Sequence, residues 1–77
     1  MWLMDQEIET FVKNSFGARL RRLRKSAGLS QEGLALVCDL DRTYIGGVER
    51  GERNISLLNI HKISRALRIS ARELFDE

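Results

Sequence analysis

The sequence has no proline, a single cysteine, a single histidine, one tryptophan and one tyrosine. Without proline, breaks between elements must come from glycine and from capping residues. With Cys38 alone, no intramolecular disulfide forms and no Cys/His zinc set exists. No apolar run approaches the roughly 20 residues of a membrane span. The opening Met1-Trp2-Leu3-Met4 is followed by acidic Asp5, Glu7 and Glu9, not by the order of a signal peptide. A cytoplasmic protein with no membrane contact is therefore expected. Paired acids, metal-ligand spacing and phosphate-cradling glycine loops are all missing. Cys38 and His61 are the only nucleophile or base candidates of note, and they fall on different predicted helices. Cys38 reads as a small core residue and His61 as a surface position. No enzyme, metal, cofactor or small ligand is expected.

At 77 residues the chain has room for one domain, 1–77, with a small core. Domains this short need a staple, very regular packing or a partner, and the staples are missing. The net charge is only +2, but it is unevenly placed. Residues 1–16 hold one base against three acids, and residues 71–77 again one against three. Between them, residues 17–70 hold eleven bases against five acids. A basic centre between acidic ends is the pattern of a face turned toward phosphates.

The pattern is all-α. Ile8, Phe11, Val12, Phe16, Leu20 and Leu23 recur at three- and four-residue steps, predicting one long amphipathic helix with residues 1–15 as its N-terminal extension. The glycines are read as falling mostly at breaks, Gly28 ending this helix as a left-handed cap. Ser30 is the N-cap of a second helix through Val37 or Cys38. Asp39-Leu40 is a tight turn, Asp41 caps a third helix from Arg42 to about Arg50, and Gly51 stops it. Ser56 caps a fourth, whose apolar face is Leu57, Ile60, Ile63 and Leu67. Ser70 with Glu73 forms a capping box for a short fifth helix ending at Phe75. Nothing leaves room for a sheet.

Residues 31–50 carry the decisive constellation. Two short helices meeting steeply across a tight turn need a small residue at their closest approach, which Ala35 provides. They need apolar residues in the wedge, here Leu34, Cys38, Leu40, Ile45 and Val48. The turn needs a residue tolerant of the left-handed region, and Asp39 stands there. All are met within twenty residues.

This stretch and its flanks, residues 16–75, resemble the lambda-repressor-like (Cro/C1-type, XRE) helix-turn-helix regulators. Leu40-Asp41-Arg42-Thr43-Tyr44-Ile45-Gly46-Gly47-Val48-Glu49-Arg50-Gly51-Glu52-Arg53-Asn54 is similar to the controller proteins of restriction-modification systems. The resemblance implies a compact five-helix domain with the helix-turn-helix at helices two and three. It also implies a homodimer, an operator of inverted half-sites in double-stranded DNA, and regulation of promoters read by RNA polymerase. Where those proteins usually have Tyr-Ile-Ser-Gly, this chain has Gly46 and Gly47, and two glycines within a helix cost about 1 kcal/mol each relative to alanine. Gly46 also lacks the serine hydroxyl, and Asp39 replaces the usual turn glycine.

Arg42, Thr43 and Tyr44 open the third helix, the end that enters a major groove in this geometry. Arg42 is the first candidate for a bidentate contact to guanine. Thr43 is assigned to a thymine methyl or a phosphate, and Tyr44 to a phosphate while its ring packs. Ser30 and Gln31 place a helix N-terminus where a phosphate oxygen is favoured. Arg50 is a further phosphate candidate or a cation at a helix C-terminus. By resemblance, Arg53 and Asn54 reach base edges or backbone at the groove rim, and Arg24 with Glu49 forms a structural salt bridge between helices one and three; close approach of backbone to DNA or to the second helix would account for one of Gly46 and Gly47. Arg19, Arg21, Arg22 and Lys25 are read mostly as solvent-facing.

Leu58, Ile69 and Phe75 remain apolar after the core is assigned, and several such side chains on one patch suggest an interface. The resemblance places the two-fold contact on helices four and five, residues 56–75. The alternative function is an antitoxin-like module whose main task is to bind a partner protein, which the short acidic Asp76-Glu77 ending does not favour.

Overall fold

Helix boundaries fall where the capping residues stand. In the computed structural model, which describes residues 5–75, α1 spans Asp5–Ser26, α2 Gln31–Cys38, α3 Arg42–Glu49 and α4 Leu57–Leu67, with one 3-10 turn at Ala71–Leu74. Met1–Met4, the outer part of the expected extension, and the Asp76–Glu77 ending lie outside the described residues. The Ser30 hydroxyl accepts from the Gly33 N–H at 2.9 Å and Ser56 from the Asn59 N–H at 3.1 Å. Each thereby satisfies a backbone donor that its helix leaves open. Asp41 stands at the N-cap of α3, but its carboxylate makes no cap bond. Gly28 and Gly51 carry the chain out of α1 and α3 at φ +76° and +77°, and Asp39 closes α2 at φ 58°.

The expected fifth helix is a 3-10 turn, not an α-helix. Its N-terminus is capped as anticipated, the Ser70 N–H donating to the Glu73 carboxylate at 3.1 Å. Only four residues follow the cap before the chain is pinned: Leu74 is fully buried and the Phe75 ring meets Phe16 edge-on at 5.2 Å. A piece so short closes with the tighter i→i+3 bond. Ile69, expected on the dimer face, is half-buried and packs against the chain's own core.

The core joins Phe16 and Leu20 of α1, Leu34, Ala35 and Cys38 of α2, Ile45 and Val48 of α3, Ile63 and Leu67 of α4, and Leu74. Two expectations need correction. The α1 stripe splits: Phe16 and Leu20 are buried, whereas Ile8, Phe11 and Val12 are exposed, because the buried core of the described residues begins on α1 only at Phe16. Leu57, assigned to the apolar face of α4, is 84% exposed, because the packing of α4 on the core begins at Ile60.

The glycines are likewise not mostly at breaks; Gly17, Gly33, Gly46 and Gly47 lie inside helices. Gly17 is where α1 crosses the end of α3. A Cβ there would fall on the Val48 carbonyl oxygen and stand 2.6 Å from that of Glu49. Backbone on both sides leaves no side chain to give way, so the absent side chain sets how closely α3 can lie on α1.

Gly17→Ala should gain the helix preference of alanine and still lose stability, by about 1–3 kcal/mol from overpacking. Urea unfolding monitored by circular dichroism reads this; an unchanged or raised midpoint would contradict the close approach.

Candidate nucleic-acid interface

The angle between α2 and α3 is built into the wedge. Leu34, Ala35 and Cys38 present a buried face to Ile45 and Val48, and the left-handed Asp39 reverses the chain between them. Burial pushes the Cys38 thiol up from its ordinary value, which keeps it protonated and makes it a packing group. With its inner face filled, α3 turns its leading end outward: Arg42 and Thr43 are exposed and Tyr44 is half-buried.

What holds α3 in that pose is an ion pair. Arg24 Nε donates to Glu49 Oε2 at 2.6 Å and Arg24 Nη2 to Glu49 Oε1 at 3.0 Å, a bidentate contact from the last turn of α1 to the last residue of α3. The side chains are only 8% and 3% exposed. Arg24 Nη1 also donates to the Leu29 carbonyl at 2.8 Å, tying in the loop before α2. Burial acts to raise the Glu49 carboxyl, but hydrogen bonds from Arg24 and Gln31 and the Arg24 charge outweigh it and hold it below the ordinary carboxylate range. The bond to Glu49 raises Arg24. No buried side-chain nitrogen or oxygen among the described residues lacks a partner.

Gln31 extends this joint to the surface. Its Nε2 donates to Glu49 Oε1 at 3.0 Å and its Oε1 accepts from Arg42 Nη1 at 3.3 Å. The side chain of the residue that starts α2 is thus engaged between the buried carboxylate and the leading arginine of α3. The Ser30 hydroxyl is likewise occupied, capping α2. On the far side of α3 the Arg53 guanidinium lies over the Tyr44 ring, 5.6 Å from its centroid. Arg50 forms an exposed pair with Glu52 at 3.1 and 3.2 Å, so a phosphate contact would require leaving Glu52. Asn54 is exposed in the same loop. Arg42 thus stands beside Gln31, Tyr44 beside Arg53, and Thr43, Arg50 and Asn54 are exposed on or just beyond α3. The Arg24 and Glu49 side chains are buried.

The helix-turn-helix family profile matches residues 20–74. Control protein C.BamHI of Bacillus amyloliquefaciens is 53% identical over 66 residues, 84% of this chain and 82% of that protein. Control protein C.MunI of a Mycoplasma species is 49% identical over 67 residues, 86% of this chain and 90% of that one. The crystal structure of the restriction-modification controller protein C.AhdI from Aeromonas hydrophila superposes with a TM-score of 0.79 at 61% identity, over 80% of this chain and 94% of that one. This chain belongs to the helix-turn-helix family of controller proteins. It is a regulator of transcription and not an enzyme. No helix among the described residues is long and apolar enough to cross a membrane.

In this controller protein the paired glycines of α3 serve side chains. A Cβ at Gly47 would stand 2.8 Å from Arg53 Cγ, so the bare backbone is the seat on which the Arg53 stem lies. At Gly46 a Cβ would stand 3.1 Å from Arg50 Nη1 and 3.4 Å from Gln31 Oε1, a tighter fit than usual against flexible groups. Sequence reasoning missed the role of Gly17 and the seating of Arg53. A helical glycine without a capping task was the available signal for both.

Gly47→Ala should fold at least as stably as the parent, since alanine favours a helix by about 1 kcal/mol, yet bind its duplex more weakly because Arg53 is displaced. Thermal melting and fluorescence anisotropy on labelled DNA separate the two; equal affinity would remove Gly47 from the interface. A second outcome concerns acid. A carboxylate depressed in the folded state contributes stability that is present above its unfolded pKa of about 4.3 and lost as pH falls through the folded value. Glu49→Gln should therefore reduce stability at pH 7 by ~3–5 kcal/mol, and the gap from the parent should narrow below about pH 4. A gap independent of pH would contradict an ionised Glu49.

Proposed function

We propose that this controller protein binds an inverted-repeat operator as a homodimer, laying the α3 of each protomer in successive major grooves about 34 Å apart. The observation that carries this reading is the exposed leading end of α3, with Arg42 bonded to Gln31 and Arg53 over Tyr44, on a helix braced from behind. Arg42 reads guanine O6 and N7, with Thr43 and Arg53 assisting, while Ser30, Gln31, Tyr44, Arg50 and Asn54 meet phosphates or base edges at the groove rim. Gly46 and Gly47 let side chains lie flat beside the duplex. Phosphate contacts from the basic middle of the chain supply most of the affinity.

Leu58 and Phe75, both exposed, form the two-fold contact, with Ile69 supporting it from the core side. Whether a promoter is activated or repressed follows from where the dimer sits relative to RNA polymerase.

Selection of bound sequences from a random duplex pool should return an inverted repeat with half-site centres about one helical turn apart. Arg42→Ala should melt as the parent does and lose roughly 1–3 kcal/mol of discrimination at one base pair of each half-site. Recovery of unrelated sequences, or an unchanged preference in the variant, would overturn the reading.

A further inference from the structure

The first turns of α1 belong neither to the core nor to the helix-turn-helix. Residues 5–12 are all exposed, and the helix-turn-helix profile begins only at residue 20. Yet Ile8, Phe11 and Val12 make an apolar stripe at helical spacing, with Phe11 61% exposed. A helix draws most of its stability from packing such a stripe, and here the described residues leave Ile8, Phe11 and Val12 about half exposed or more. The stripe does not end with the arm. Beside α1 lies a groove of 330 Å³ whose walls include Phe11, Ser15, Ala18, Arg22, Leu74 and Phe75. Through Phe75 it continues to Ile60, and from there to Leu57 and Leu58 on α4. One apolar band thus runs from the arm to the dimer face.

The charges of α1 identify the occupant. Asp5, Glu7 and Glu9 lie in its first half, where Glu9 pairs with Lys13 at 2.8 Å, and Arg19, Arg21, Arg22, Arg24 and Lys25 in its second, where Arg19 is bonded to the Glu73 carbonyl and Arg24 to Glu49. Asp5 and Arg22 lie at opposite ends of the segment that carries the stripe. A helix acidic at one end and basic at the other is complementary to a second copy of itself running the opposite way. Size argues in the same direction. Leu57, Leu58 and Phe75 are few side chains for the ~800 Å² per partner that a stable interface buries; residues 5–12 add about two turns of helix.

We propose that α1 of each protomer pairs antiparallel with α1 of a second copy. Phe11 of one chain seats in the partner's groove between α1 and the 3-10 turn, and Asp5 of one chain faces Arg22 of the other. The inference rests on the homodimer reading and extends its contact onto the arm.

Sedimentation equilibrium of the full chain tests it. The parent should dimerise, and Phe11→Glu, a surface change whose folding is checked by circular dichroism, should weaken the dimer about tenfold or more. Asp5→Arg should also weaken it, and Asp5→Arg combined with Arg22→Asp should restore it, a rescue that general loss of apolar area cannot produce. A dimer unaffected by Phe11→Glu but broken by Leu58→Arg would overturn the arm pairing and leave the homodimer standing. A parent that stays monomeric would overturn both.

Discussion

The bidentate contact between Arg24 and Glu49 is the joint on which the pose of α3 depends. α3 is eight residues long and would not persist as a helix alone. Its apolar face is held by the wedge with α2, but apolar packing permits small rotations that a directional contact does not. A guanidinium fork on a carboxylate sets direction as well as distance. Both groups are removed from water, so the pair's net contribution to stability is modest, while a lone surviving partner would be strongly destabilising. The pair therefore acts less as added stability than as a demand that α1 and α3 meet in one register. Gly17 satisfies the same demand sterically, one helix lying directly on the carbonyls of the other.

From that joint the arrangement passes outward in short steps. Glu49 accepts from Gln31, and Gln31 accepts from Arg42, so the leading arginine is oriented by the protein's own hydrogen bonds. On the other side Gly47 and Tyr44 hold Arg53 close to α3. Side chains set in advance lose less freedom on binding, which favours affinity without additional contacts. The modest overall charge is no obstacle, because the basic groups are gathered in the middle of the chain and the acids kept to its ends.

Much of this was legible in the sequence because it is local. Ser30, Asp39, Ser56 and the glycines at 28 and 51 mark boundaries by their own backbone and side-chain chemistry, and the boundaries fall at them. The helix-turn-helix was legible because one turn length, one small residue and one wedge must coincide within twenty positions. Features set by distant partners were not. Gly17 reads as a weak point in a helix until the α3 carbonyls are seen against it. Ile8, Phe11 and Val12 continue the spacing of Phe16 and Leu20, and no periodicity announces that the core stops partway along the helix. Gln31 looked like a phosphate ligand because its place at a helix start is local, whereas its bonds to Glu49 and Arg42 join residues 18 and 11 positions away. The final 3-10 turn follows from Leu74 and Phe75 being anchored so soon after the cap.

A double-mutant cycle on Arg24→Met and Glu49→Leu, with unfolding free energy and operator preference measured on the same four proteins, tests the joint most directly. The account predicts that each single change is strongly destabilising and erodes operator preference, while the double change costs less than the sum by about 1–3 kcal/mol. Effects that add within ~0.5 kcal/mol, with operator preference intact in both single variants, would contradict it.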